Sequence, residues 1–167
     1  VFSSSASIYE PIVGGNLPEH ILKKPISPYG NTKLAIETIL NDIFLSTKGN
    51  WKIVNLRYFN PVGAHESGLV GEKPKNEANN LFPVISNYIT KKINKVLIFG
   101  NDYPTKDGTC IRDFIHVMDL ADAHIAALKF LMTNKPQIIS INVGTGKGHS
   151  VLEIINTYSE VNKIKIS

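Results

Sequence analysis

Ser27-Pro28-Tyr29-Gly30-Asn31-Thr32-Lys33 is the stretch on which the reading of this chain turns. Proline holds φ near the helical value and lacks an N–H that a first turn leaves unpaired, so Pro28 suits a helix start. Apolar residues then recur at helical spacing in Leu34, Ile36, Ile39, Leu40, Ile43 and Phe44. The helix should run to about Thr47 and close at Lys48-Gly49-Asn50, where Gly or Asn accepts the left-handed cap. Tyr29 and Lys33 then stand one turn apart on one face. A phenol is a poor base near neutral pH, but an ammonium held beside it favours the phenolate, so such a pair can move protons. The same spacing also arises by chance in a lysine-rich chain with six tyrosines. Its weight therefore comes from what surrounds it.

Upstream, Val1-Phe2 reads as the end of a buried strand followed by the small residues Ser3-Ser4-Ser5-Ala6-Ser7, and residues 9–27 read as a surface loop. Downstream, Trp51 to Tyr58 alternates and is β-rich, and Phe59-Asn60-Pro61-Val62-Gly63 forms its turn-like exit. Residues 64–80 form a long loop of the kind that usually carries function. A helix follows from Leu81 to Lys92 with Asn80 as N-cap. Val96–Phe99 reads as a short strand, 100–108 as a polar turn and Arg112–His116 as a strand. Asp119, itself the expected cap, opens an amphipathic helix to about Thr133. Ile138–Val143 is an apolar strand, and Ser150-Val151-Leu152-Glu153 is a capping box opening a last helix. Strands alternating with helices define an α/β chain of parallel βαβ construction.

Composition narrows the class. The 167 residues are 43% apolar and 19% charged, as in ordinary globular proteins. No apolar run is long enough to span a membrane. The net charge of +4 comes from short lysine clusters, Lys23-Lys24 and Lys91-Lys92 with Lys95, that lack interleaved aromatics. They read as solvated faces rather than a nucleic-acid stripe. A single cysteine, Cys110, excludes an internal disulfide and suits a reducing, cytoplasmic setting. The only two arginines, Arg57 and Arg112, stand out against the lysines because a guanidinium offers a planar donor fork. The chain begins without Met inside one strand and stops at Ile164–Ser167 in what reads as another, so we expect an internal piece of a longer protein.

Two tempting constellations fail on spacing. Gly144-Thr145-Gly146-Lys147-Gly148 follows a strand, but its third glycine falls too early for a dinucleotide fingerprint, and a strand-to-helix turn is the simpler reading. His116, Asp119 and His124 do not converge at metal-ligand spacing, and no metal is expected. Asn79-Asn80 and Arg112-Asp113 are better placed, since amides and a guanidinium fork suit a uracil and a diphosphate; standing alone, they would read as loop capping and a surface ion pair.

Several motifs occur together in order: Phe2-Ser3-Ser4-Ser5-Ala6, Ser27-Pro28-Tyr29-Gly30-x-x-Lys33 and Arg57-Tyr58-Phe59-Asn60-Pro61-Val62-Gly63-Ala64-His65. Asn79-Asn80-Leu81, Phe99-Gly100-Asn101-Asp102-Tyr103 and Arg112-Asp113-Phe114-Ile115-His116-Val117-x-Asp119-Leu120 follow. The set resembles the UDP-glucose 4-epimerases of the extended short-chain dehydrogenase/reductase class over nearly the whole chain. The resemblance implies part of a Rossmann-like doubly wound parallel sheet together with part of a smaller substrate-binding lobe. Residues 1–63 would be the C-terminal half of the NAD-binding domain. Residues 64–167 would contribute the sugar-nucleotide lobe, with about 111–145 rejoining the Rossmann core.

The resemblance also implies an isomerase of galactose metabolism that interconverts UDP-glucose and UDP-galactose. Bound NAD would oxidise the sugar at C4, and the 4-keto sugar would turn over and be reduced on its other face. Ser5, Tyr29 and Lys33 would be catalytic. Ser5 would hydrogen-bond the 4-hydroxyl, Tyr29 would exchange its proton, and Lys33 would hold the nicotinamide ribose and support the phenolate. Ser3, Ser4 and Phe59 would join them around the cofactor. Asn60, Asn80, Leu81 and the Leu97-Ile98-Phe99 backbone would hold the nucleotide, and Arg112 its diphosphate. Family members that dimerise do so through the helix carrying Tyr29, so a homodimer is implied for the complete protein.

Sugar-nucleotide dehydratases and decarboxylases share the framework. Dehydratases need acidic groups after the serine, where this chain has Ala6-Ser7, so simple epimerisation is favoured. A non-catalytic sugar-nucleotide-binding remnant is the other reading, and the piece alone is expected to be inactive. The chain departs from the family pattern at Lys73–Ala78, which lacks the usual Gly-Ile-Pro, and at Glu10 and Cys110, where glycine is usual. The interval from Ser5 to Tyr29 is also one residue short.

Overall fold

The computed structural model of the chain describes residues 1–12 and 15–166. In order the elements are β1 (Phe2–Ser5), α1 (Pro28–Ser46), β2 (Lys52–Tyr58), β3 (Asn60–Val62) and α2 (Leu81–Ile89), then β4 (Ile111–His116), α3 (Val117–Thr133), β5 (Gln137–Val143), β6 (Gly148–Ser150) and α4 (Val151–Asn162). A single 3₁₀ turn, Ala6–Ile8, follows β1.

β1, β2 and β5 form a parallel sheet in that order, with Ser5 opposite Tyr58 and Tyr58 opposite Val143. Side chains alternate between faces along a strand. On one face Val54 and Leu56 of β2 pack with Val143 and with Leu120, Ala127 and Leu131 of α3. Burying such aliphatic side chains contributes about 1.5–3 kcal/mol apiece. On the other face Asn55 and Arg57 of β2 and Ser4 of β1 look towards α1, whose Glu37 bonds to both Ser4 and Arg57. Helices on both faces of a parallel sheet make this the doubly wound α/β arrangement that the sequence predicts.

β4 carries the second sheet. It pairs in parallel with β3 and antiparallel with β6. α4 begins at the expected capping box: Ser150 Oγ accepts from the Glu153 N–H at 3.0 Å, and Glu153 Oε2 accepts from the Ser150 N–H at 3.3 Å. Ser150 Oγ also donates to Asp107, which fixes the polar turn preceding β4 to the start of α4. No helix among the described residues is long and apolar enough to cross a membrane.

Several sequence expectations need correcting. Asn60–Val62, read as a turn, is a strand because β4 offers it a ladder. Val96–Phe99, read as a strand, has no ladder partner among the described residues and is irregular. α2 stops at Ile89, with Lys91 in the left-handed region, rather than reaching Lys92. His116, not Asp119, caps α3: its Nδ1 accepts from the Met118 N–H at 3.2 Å, and Asp119 sits inside the first turn. Gly148–Ser150 adds a short strand before α4 that the glycine run concealed. Residues 164–166 are not a strand, and Ser167 lies outside the described residues, as do Val13-Gly14 of the loop 9–27.

Candidate active site

Tyr29 and Lys33 occupy the first two turns of α1 at the end of the sheet where β1 and β2 finish, the end at which doubly wound sheets bind ligands. Ser27 caps the helix by accepting from the Gly30 N–H at 3.0 Å. Gly30 is buried, and a Cβ there would strike the Ser7 carbonyl and lie 2.8 Å from Pro25 Cβ. Only glycine lets the start of α1 lie against the 3₁₀ turn that carries the chain away from Ser5. Lys33 Nζ donates to the Ser3 carbonyl at 2.9 Å and lies 5.5 Å from the Tyr29 ring centre and 5.3 Å from that of Phe2. The ammonium is thus tethered between β1 and the phenol. Tyr29 remains 53% exposed, so a ligand can reach it. Ser5 ends β1 and is buried, its Oγ accepting from the Ser7 N–H at 3.2 Å.

Behind this pair lies a buried polar network that the motifs alone do not reveal. Glu37 extends the Tyr29–Lys33 face by one further turn and is 5% exposed. Its carboxylate accepts from Arg57 Nε at 2.9 Å and from Arg57 Nη2 at 2.6 Å, a bidentate fork, and from Ser4 Oγ at 2.6 Å. Burial pushes the Glu37 carboxyl up, but the Arg57 fork and the Ser4 hydroxyl outweigh it and hold the group below the ordinary carboxylate range. Arg57 Nη1 donates to Tyr9 Oη at 2.9 Å and to the Glu19 carbonyl at 3.0 Å. Tyr9 Oη in turn donates to Asn142 Oδ1 of β5 at 2.6 Å. Burial raises the Tyr9 phenol above its usual value despite the Arg57 charge beside it. The segment after β1 is therefore more than a surface loop: Tyr9 and Glu19 seal the ends of β2 and β5. Arg57, which the sequence singles out only as a scarce guanidinium, is the hub of this network.

The serines divide by face. Ser4 is fully buried and committed to Glu37. Ser3 faces α3, where its Oγ lies 3.5 Å from His124 Nε2. His124 Nδ1 lies 2.8 Å from the Leu120 carbonyl, which can only accept, so Nδ1 carries the proton. His116 and His124 thus each use Nδ1 on the backbone of α3.

A second cluster forms where the two sheets meet. The Phe59 N–H donates to the Val143 carbonyl at 3.1 Å and continues the β2–β5 ladder. Asn60 pairs with Phe114, two residues beyond exposed Arg112. Arg112 and Asp113 do not form the adjacent ion pair that their order suggests. Asp113 instead binds the turn after β5, with Thr145 N–H at 3.0 and 2.9 Å from its two oxygens and Gly146 N–H at 2.8 Å. That run of N–H groups is thus filled by an internal carboxylate, which accounts for the glycine run without a dinucleotide.

Asn80 precedes α2 without a side-chain cap; its Nδ2 donates instead to Glu72 Oε1 at 2.9 Å. Leu81 starts the helix whose Phe82 meets the Phe114 ring at 5.7 Å, which brings α2 to β4. Leu97, Ile98 and Phe99 are exposed, Phe99 to 84%. The structure thus holds Lys33 between the Tyr29 ring and β1, which Ser5 ends. It places Phe59 against Gly144 and Asn60 opposite Phe114 on the strand that carries Arg112, and leaves 97–99 open to solvent.

A tyrosine and a lysine stand together at the C-terminal edge of a doubly wound sheet, the edge at which such sheets bind ligands. The chain belongs to the NAD dependent epimerase/dehydratase family, whose sequence profile it matches over residues 1–144. It is 49% identical over 166 residues to UDP-glucose 4-epimerase 4 of Oryza sativa subsp. japonica, covering 99% of this chain and 45% of that protein. It is 47% identical over 168 residues to the bifunctional UDP-glucose 4-epimerase and UDP-xylose 4-epimerase 3 of Arabidopsis thaliana, covering 99% and 47%. Among solved structures it resembles UDP-glucose 4-epimerase from Bifidobacterium longum in complex with NAD+ and UDP. The TM-score is 0.92 and the identity 43%, over 99% of this chain and 49% of that one. The chain therefore spans about half the length of the curated relatives it matches.

Proposed function

We propose that these residues belong to an NAD-dependent UDP-glucose 4-epimerase, and that the 167 residues alone do not turn over. The observation that carries the reading is the tethered pair: Lys33 Nζ held between the Ser3 carbonyl and the Tyr29 ring, with Ser5 ending the adjacent strand. Relatives and solved neighbours named as UDP-glucose 4-epimerases support it.

The residues present fit the nicotinamide end of such a cofactor. An ammonium and an exposed phenol stand at the ligand-binding edge of the sheet, and Phe59 lies against Gly144 with no room for a Cβ between them. The dinucleotide, when bound, supplies the acceptor and donor of hydride at C4. Tyr29 Oη takes the proton of the sugar 4-hydroxyl and returns it. Lys33 Nζ holds the ribose and stabilises the phenolate, Ser5 Oγ orients the 4-hydroxyl, and Ser3, Ser4 and Phe59 shape the cofactor's surroundings. Asn60, Asn80, Leu81 and residues 97–99 hold the uridine nucleotide, and Arg112 takes its diphosphate. Residues 1–63 supply the cofactor half. Residues 64–167 supply the sugar-nucleotide half, with 111–145 returning to the core.

The wider setting we propose is cytoplasmic galactose metabolism by a homodimer paired through α1. Exposed Ile36 and Ile39, at 38% and 56%, support that pairing. The deciding experiment assays the complete polypeptide with UDP-galactose. Conversion to UDP-glucose without net NADH is the expected result. A stable 4-keto-6-deoxy product or release of CO₂ would assign it to the dehydratases or decarboxylases instead, and no turnover with intact UDP binding would make it a binding protein.

A further inference from the structure

We propose that Asp113 is a positioning residue that acts as an internal anion, setting both the cofactor wall and the diphosphate arginine. Arg112 and Asp113 are consecutive on β4 and so point to opposite faces. Asp113 accepts four bonds from one turn: the Thr145 N–H to both oxygens, Thr145 Oγ1 at 2.7 Å and the Gly146 N–H at 2.8 Å. Successive backbone N–H groups around a residue with positive φ, here Gly146 at 73°, make a concavity that attracts anions. In this chain a carboxylate from the neighbouring sheet fills it.

Two consequences follow. A Cβ on Gly144 would lie 2.6 Å from Asp113 Oδ2 and 2.7 Å from Phe59 Cδ2, so the carboxylate, the turn and the Phe59 ring are packed in series. The position of Phe59 is therefore set through Asp113. In addition, Arg112 forms no ion pair with a carboxylate among the described residues. Its guanidinium donates to the Ile111 carbonyl at 3.3 Å and, with no other bond among the described residues, stays open for a diphosphate. The sequence places an acid beside the arginine, and the fold sends that acid elsewhere.

This inference rests on the proposed uridine-diphosphate site, and its test is separable from that reading. Binding of UDP alone to the complete polypeptide is measured by calorimetry for the wild type, Asp113→Ala and Asp113→Asn, with thermal unfolding in parallel. Were Asp113 only a nearby negative charge, its removal would tighten a polyanion. Positioning predicts the opposite sign, a weakening of about 10- to 100-fold, the range expected if a displaced Arg112 loses its hydrogen bonds to the charged diphosphate. Formate, which can re-enter the vacated concavity of Asp113→Ala, should recover much of that loss at a temperature where the variant is folded. It should recover none in Asp113→Asn, where the amide fills the space. Gly144→Ala should weaken UDP similarly, and the double variant with Asp113→Asn should be no worse than the weaker single, because both act through one turn. Unchanged or tighter UDP binding in folded Asp113→Ala, or a loss that formate leaves untouched, overturns the proposal. Failure of the wild type itself to bind UDP would instead overturn the site reading.

Discussion

Replacing Glu37 by glutamine tests the claim that a buried ion pair, rather than apolar packing, fastens α1 to the sheet. The substitution keeps the size of the side chain but removes the charge facing Arg57, which is 2% exposed and has no other carboxylate partner among the described residues. One oxygen of the fork becomes an NH₂ that confronts a guanidinium donor. Breaking a buried pair from one side costs about 3–5 kcal/mol, because the remaining charge stays desolvated. Urea unfolding of the complete polypeptide at pH 7 should show that loss.

The pH dependence gives a second handle. Burial raises the Glu37 carboxyl, and Arg57 and Ser4 more than reverse it, so the folded-state value lies below the unfolded one. A depressed carboxyl contributes stability that is fully present above the ordinary glutamate range and is lost as pH falls through the folded-state value. Wild type and Glu37→Gln should therefore differ most near neutrality and converge in acid. The double variant Glu37→Leu, Arg57→Met should recover most of the stability, since apolar replacement of a whole buried pair is often neutral or better. It should not recover turnover, because Ser4 and Tyr9 lose the partners that hold β1 and the following segment in register. A loss below about 1 kcal/mol in the single variant would refute the reasoning, since it would place the pair among weak solvated bridges. So would a difference indifferent to acid.

Tyr29→Phe should leave unfolding unchanged and lower kcat by about 10²–10⁴, the usual contribution of general acid–base catalysis, in a UDP-galactose assay of the complete polypeptide. Gly30→Ala should destabilise by about 1–3 kcal/mol, because the added Cβ meets the Ser7 carbonyl, a backbone atom that cannot swing away. Turnover should fall with it, as Tyr29 is lifted from the 3₁₀ turn. Ser150→Ala removes the cap of α4 and a partner of Asp107, and should cost about 1 kcal/mol in urea with little effect on turnover.

The features legible in the sequence are those written in local chemistry. Pro28 after Ser27, the capping box at Ser150, and the apolar runs of β2 and β5 are each decided by neighbours within a turn or a strand length. Features that depend on a partner distant in sequence are not legible in this way. Asn60–Val62 becomes a strand only because β4 lies beside it, and Val96–Phe99 fails to become one because nothing described does. Asp113 reads as the partner of Arg112 until the fold brings Thr145 to it. The Glu37–Arg57 pair spans 20 residues, and neither side chain announces that it is buried. Its one sequence signal was the scarcity of arginine in a lysine-rich chain.

The position of that pair also explains why so costly a device is used. The inward side of α1 is poorly defined by hydrophobicity: Ile36, Ile39 and Leu45 are exposed, while Leu34, Leu40, Ile43 and Phe44 are only half-buried. Apolar residues on so much of a helix would let it rest on the sheet in more than one rotation. A slip of one residue turns the helix by about 100° and would carry Tyr29 and Lys33 away from the end of β1. A bidentate fork has no such tolerance, because guanidinium and carboxylate bond in one plane and register. Glu37 lies on the same stripe as Lys33 and Tyr29, so fixing its rotation fixes theirs. The ion pair supplies specificity of orientation that greasy contact cannot. It does so one turn along α1 from Lys33, with Glu37 and Arg57 only 5% and 2% exposed.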